Sequence, residues 1–239
     1  MSSKNTCLAL LLDAPMQAWG HTSRFERRTT ALHPTRSGVI GLLAAALGID
    51  KYAPDESALL ERLAPLRITT ITLPRRNSRG ELPIVRLEDY HTVGPREGIR
   101  RASGKVDKDA TVQTYRHYLL DARFGVLLEG PSALLAEIAA SLRDPCWGVW
   151  FGRKCCLPAT PLLAAGPAPL AEAWTQLLRR ADYTGDESRE HFDHVLESTP
   201  QTAGADMIDD APLGYGRPIG ERHAPRWLLR VPRMRPATS

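Results

Sequence analysis

The run Val39–Leu47 is apolar nearly all round, so a helix there has no polar face to offer water and has to be buried against a sheet. It is far too short to span a bilayer, which takes roughly 20 residues. A short apolar strand, Cys7–Leu12, precedes it. The loop between the two carries Arg24, Arg27, Arg28 and Arg36 against a single acid, Glu26. The helix begins Pro34-Thr35-Arg36-Ser37-Gly38. Thr35 or Ser37 can cap it, and the remaining free N–H groups at the positive end of the dipole favour an anion. Gly38 lets a ligand approach and Arg36 adds a bidentate charge. The same residues also fit an ordinary capped core helix with no ligand.

The remaining pattern organises around that unit. Glu56–Leu63 reads as a second helix and the alternating run Leu66–Leu73 as a β-branched strand. Residues 74–117 are rich in Arg, Gly and Pro, with a strand over Ile84–Val93 and a flexible loop over Gly94–Asp109. Tyr118–Leu128 reads as another strand and Ser132–Leu142 as an amphipathic helix capped by Ser132. The apolar run Trp147–Phe151 closes the unit. The resulting order, β-α-β-insertion-β-α-β, predicts an α+β, ferredoxin-like (RRM-like) core over residues 1–157. The Pro/Ala-rich segment after Pro158 reads as a linker into a smaller C-terminal β-containing part, residues 158–239, which ends in the strand Arg226–Val231.

Charge narrows the partners. The basic residues are 26 Arg against 5 Lys, a bias that suits bidentate contacts to phosphates and also arises from a GC-rich genome. Residues 75–117 carry ten basic and six acidic side chains, 170–210 three and ten, and 211–239 six and one. Two basic segments around an acidic one fit an RNA-binding protein that also docks on protein neighbours. Cys7, Cys146, Cys155 and Cys156 show no metal-binding spacing and read as free thiols in a reducing cytosol. The leading residues MSSKNT hold no apolar signal region, so a cytoplasmic location is expected. No Walker A, nucleophile-elbow or dinucleotide fingerprint occurs. The pair His191 and His194 has H-x-x-H spacing without a further ligand, so no metal and no cofactor is expected.

Four motifs together resemble one family, the CasD subunits of the type I-E CRISPR Cascade complex: PMQAWG (15–20), PTRSGVIGLLAAALGI (34–49), DYHTV (89–93) with Arg96-Glu97 behind it, and TVQTYRHYLLDARF (111–124). FGRKCCLPATPL (151–162) resembles it more loosely. The resemblance implies that the basic insertion is a projecting thumb. It implies a subunit that holds the 5′ handle of the crRNA and caps one end of the filament of CasC backbone subunits. It further implies contact with the large CasA subunit, with target DNA met only through the guide and no membrane involved. Members of this branch are not regarded as nucleases.

Residue chemistry agrees. Gln17, Trp19 and Gly20 offer an amide, a stacking surface and a tight turn beside Thr35, Arg36, Ser37 and Gly38; Trp19 equally fits a core aromatic. Arg27, His91, Arg96, Arg101, Lys105 and Lys108 supply charge for phosphates. Thr111, Gln113, Thr114 and Arg116 lie where the chain returns to the sheet, and Arg153 and Lys154 leave its last strand. Each basic side chain singly also reads as a solvated surface charge. The alternative is a metal-independent endoribonuclease that processes the precursor RNA, as in the related type I-C branch. In that reading His117 in Tyr115-Arg116-His117-Tyr118 acts as acid or base.

Overall fold

A computed structural model describes residues 6–20, 26–94, 99–100, 104–107, 110–218 and 221–234. In chain order its main elements are β1 (Thr6–Asp13), α1 (Arg36–Leu47), α2 (Glu56–Glu61), β2 (Arg67–Thr72), β3 (Val85–Val93), β4 (Val112–Leu120), β5 (Arg123–Glu129) and α3 (Ser132–Arg143). Then follow β6 (Leu163–Pro169), α4 (Leu170–Arg180), β7 (His194–Ser198), β8 (Ala205–Pro212) and β9 (His223–Val231). The class is mixed helix and sheet, with a seven-stranded antiparallel sheet ordered β6-β1-β5-β2-β7-β9-β8.

Strand alternation divides β1 between two cores. Leu8, Leu10 and Leu12 pack with Phe124 and Val126 against α1 and α3 on one face. Cys7, Ala9 and Leu11 pack with Leu127, Trp174, Leu177 and Phe192 under α4 on the other. Both faces being covered, β1 has no polar alternation, and α1 is buried at Val39, Ile40, Leu42, Leu43, Ala44 and Ala46. Each fully buried leucine contributes about 1.5–3 kcal/mol relative to exposure.

Three sequence expectations are corrected. The run Trp147–Phe151 is not a strand: Gly148 and Trp150 turn toward a cleft, while Phe151 is fully buried against Trp19. The strand beside β1 is β6 instead, formed by residues assigned to a linker. The apolar run Tyr118–Leu128 is two strands, because Asp121, at φ 49°, reverses the chain between β4 and β5; aspartate tolerates that left-handed conformation better than most residues. Helix α3 has no side-chain cap, and Ser132 Oγ pairs with Thr6 Oγ1 at 3.2 Å.

Strands β3 and β4 stand apart from the large sheet as a long antiparallel ribbon paired from Val85–Leu120 to Val93–Val112. Two short strands beside it, Met16–Gln17 and Arg27–Arg28, pair with the β4 side. Of the basic insertion the ribbon strands carry Arg86 and Arg116.

A buried charge network joins α1 to the C-terminal strands. Asp210 on β8 is 1% exposed. It accepts the backbone N–H of Arg36 at 2.9 Å and both ends of the Arg226 fork, Nη2 at 2.9 Å. The Arg36 guanidinium pairs with Glu197 and donates to the carbonyls of Leu66 at 2.7 Å and Ala64 at 3.0 Å. Removing one member strands the others as uncompensated buried charge. We therefore expect Asp210→Ala to lose about 3–5 kcal/mol in urea denaturation. Arg62→Ala, which breaks only the exposed pair with Glu137, should lose less than about 1 kcal/mol.

Candidate functional site

The chain after β1 turns back as a hook, Pro15–Gly20, and lies against the start of α1. Thr35 is the N-cap, its Oγ1 accepting from Gly38 N at 3.2 Å. Gln17 is fully buried: its Nε2 donates to the carbonyls of Leu12 at 3.0 Å and Ala122 at 2.7 Å, and its Oε1 accepts from Trp19 Nε1 at 3.1 Å. Trp19, 1% exposed, stacks on Phe151 with ring centroids 5.9 Å apart. A Cβ on Gly38 would lie 2.7 Å from Trp19 Cε3. Gly38 is therefore small for the indole, not for a ligand.

These contacts correct the expected roles. Gln17, Trp19, Thr35 and Arg36 spend their polar groups inside the protein and build a wall. The anion at the start of α1 is the protein's own Asp210. Ser37 stays available. Its Oγ lies 2.8 Å from His223 Nε2, and Tyr215 OH donates to its carbonyl at 2.6 Å. Burial pushes the Tyr215 phenol up and holds the His223 imidazole below its usual value.

Between this wall and the C-terminal strands lies an open cleft of about 1360 Å³. Trp19, Gly20, Thr35, Ser37, Gly38 and Arg153 all line it, so folding gathers these expected residues at one place. The sequence reading did not select Arg28, Thr29, Asp209, Tyr215 and His223, which line it too. Their only forewarning was the arginine-rich loop and the basic surplus after residue 210. Arg28 is exposed and has no side-chain ion-pair partner among the described residues.

The loop 150–156 closes one end. Gly152, at φ 88°, is held so close that a Cβ would sit 1.7 Å from the Ala18 carbonyl oxygen. Arg153 follows. Its guanidinium donates to His117 O at 3.0 Å and Arg28 O at 2.9 Å, and lies 4.4 Å over the Tyr118 ring. It is a tie between segments before it is a free charge. Lys154 is exposed, its Nζ 5.6 Å from the Trp150 ring.

The remaining described expected residues lie on the ribbon, between its strands or, for Arg27, on the short strand beside it. Arg27 sits 5.3 Å over Tyr115, which packs on Tyr90 at 5.3 Å. On the other face His91 is exposed, and Thr114 receives Arg116 Nε at 3.0 Å. Lys105, Thr111 and Gln113 are exposed. Arg24, Arg96, Arg101 and Lys108 lie outside the described residues. His117 Nε2 is 2.6 Å from Glu88 Oε2, and its buried Nδ1 has no hydrogen-bond partner among the described residues. His191 ends a short 3₁₀ turn and His194 begins β7, so they share no helix face. Among the described residues no group of His, Cys, Asp and Glu could hold a metal ion, and no helix is long and apolar enough to cross a membrane. Burial pushes the Cys7 and Cys156 thiols up to about 12.

Comparison with known proteins gives consistent matches. A family described as CRISPR-associated protein (Cas_Cas5) matches residues 7–223. The chain is 34% identical over 188 residues to the CRISPR system Cascade subunit CasD of Escherichia coli (strain K12), covering 75% of this chain and 79% of that one. It is similar to a chain of a CRISPR RNA-guided surveillance complex, with TM-score 0.72, 30% identity and coverage of 97% and 91%. A crystal structure of a Cas protein matches with TM-score 0.59, 30% identity and 95% coverage of both chains.

The wall makes its own prediction. Because the Trp19 ring is held between Gly38 and Phe151, Gly38→Ala should lose about 1–3 kcal/mol by overpacking. Denaturation followed by tryptophan fluorescence reads both the loss and the displaced indole.

Proposed function

The chain belongs to the CRISPR-associated Cas5 family and is a subunit of a Cascade RNA-guided surveillance complex; we propose that within it the cleft beside α1 holds the 5′ handle of the crRNA. The observation that carries this reading is the cleft itself. It is open, and the unpaired Arg28, the Arg153 tie and Gly20 stand at one side, with Ser37 and Trp150 within reach. Basic groups beside an aromatic and small hydroxyls are what single-stranded RNA requires. In this reading β6-β1-β5-β2 with α1 and α3 is a ferredoxin-like core, and the β3–β4 ribbon is its thumb. The thumb's His91 and Arg116, with Lys105 between its strands and Arg27 on the short strand beside it, add phosphate contacts. The subunit then caps the CasC filament and meets CasA, and target sequence is read by base pairing with the guide.

We also propose that the subunit is not a nuclease. His117 has its Nε2 tied to Glu88 at 2.6 Å and its Nδ1 buried, so among the described residues neither ring nitrogen stands open as the acid or base that metal-free cleavage of RNA needs. That supports holding over cutting.

The experiment is one set of paired gels with end-labelled CRISPR repeat RNA in EDTA. Wild type should shift handle-containing RNA and leave it intact. Arg28→Ala should weaken binding severalfold and lower the slope of log affinity on log salt by about 0.7. Cleavage that disappears in His117→Ala would make the chain a processing nuclease. Binding indifferent to the handle would remove the proposed site.

A further inference from the structure

Within the cleft the pair Ser37–His223 has no task in phosphate binding. The two side chains join the second residue of α1 to the first of β9, Oγ to Nε2 at 2.8 Å. Whichever atom carries the shared proton, Ser37 Oγ keeps unused capacity, since a hydroxyl has one donor and two acceptor sites. His223 Nδ1 has no protein hydrogen-bond partner among the described residues. Tyr215 holds Ser37 from behind through its carbonyl at 2.6 Å, so the hydroxyl is fixed in place.

The surrounding charge decides what this pair can take. The first turn of α1 already has an anion, because Arg36 N donates to Asp210, and Gly38 N is used by Thr35. Asp209, next on the same strand, lines the cleft with no ion-pair partner among the described residues. Asp206 is paired with Arg230 and Asp210 with Arg226, so their positive partners are neutralised locally. Burial lowers the His223 imidazole below its usual value, which favours the uncharged ring. A phosphate placed here would face Asp206, Asp209 and Asp210, and the nearby cation Arg222, which also lines the cleft, has its Nε spent on the Arg217 carbonyl. A small neutral group that both donates and accepts suits the place. In RNA that group is the 2′-hydroxyl, the atom by which a protein tells RNA from DNA.

We infer that Ser37 and His223 form a subsite for one ribose 2′-hydroxyl of the bound RNA, with the adjoining phosphate turned toward Arg28 and Arg153. This rests on the handle-binding reading above and adds to it a discrimination that phosphate contacts cannot supply.

The test uses the full-length protein and handle RNAs carrying a single 2′-deoxy substitution at each position in turn. Wild type should lose about three- to tenfold in affinity at one position, the worth of one neutral hydrogen bond. Ser37→Ala should bind the all-ribose handle weaker by a similar factor and no longer respond to deoxy substitution at that position. A circular-dichroism melt overlaying that of wild type would separate loss of the hydroxyl from loss of the fold. If wild type is indifferent to every 2′ substitution, or Ser37→Ala keeps the full response, the inference is overturned while handle binding stands. If wild type fails to bind the handle at all, the handle-binding reading falls and the subsite falls with it.

Discussion

The buried carboxylate of Asp210 governs how the two ends of the chain meet. It takes the free N–H at the start of α1 and both ends of the Arg226 fork, at a position 1% exposed. The side chain of Arg36, whose own N–H that is, is in turn satisfied by Glu197 on β7 and by two carbonyls just before β2. No member can leave without exposing another to an unpaired burial, which costs several kcal/mol. Helix α1 is thereby obliged to sit against β7, β8 and β9, and the C-terminal strands are obliged to extend the sheet from β2. The cleft is the space left where α1, so anchored, faces β8 and the hook.

A second constraint acts on the opposite side of the cleft through shape alone. Gln17 fixes the indole of Trp19 from one edge, Gly38 admits its face, and Phe151 covers it. Gly152 then lets the following loop touch the hook backbone, which Ala18 N secures by donating to Phe151 O at 3.0 Å. Two motifs distant in sequence, PMQAWG and FGRKCC, are thus the two halves of one contact. Their residue types are explained by packing before any ligand is considered.

This division marks what was legible in the sequence. The apolar runs of β1 and α1 and the helix of Ser132 were readable because burial marks a segment within a few residues, whereas the exposed ribbon strand ending at Val93 showed through its alternating β-branched and apolar residues. The placing of Gly20 beside the start of α1 followed from motif order; that of Arg153 did not, since it was expected to leave a strand that does not form. The roles of Arg36 and Gln17 did not, since a buried arginine and a surface one look alike until the partner is known, and here the partners are Glu197 and Leu12. Asp210 and His223 were invisible for the same reason: each lies more than a hundred residues from the helix it serves. Strand β6 was missed because Leu163–Pro169 is written in alanine, glycine and proline, which suit an edge strand as well as a linker.

The ribbon ties these parts to one another mechanically. A two-stranded ribbon is marginal alone, and this one leaves Val85, Leu87, Val93 and Val112 exposed along one face. What steadies it is its base, where Tyr118 and Leu119 are buried and Arg153 bonds the His117 carbonyl while covering the Tyr118 ring. Arg153 leaves the loop that Gly152 keys into the hook, and its second bond reaches the Arg28 carbonyl beside the cleft. Arg153 therefore couples the base of the ribbon to the wall of the cleft. Under the proposed handle-binding role, a strand of RNA running from the cleft along the ribbon would meet two surfaces whose relative geometry is set before it arrives. Such preorganisation would let a modest set of contacts hold a flexible handle, because little further ordering of the protein would be needed on binding.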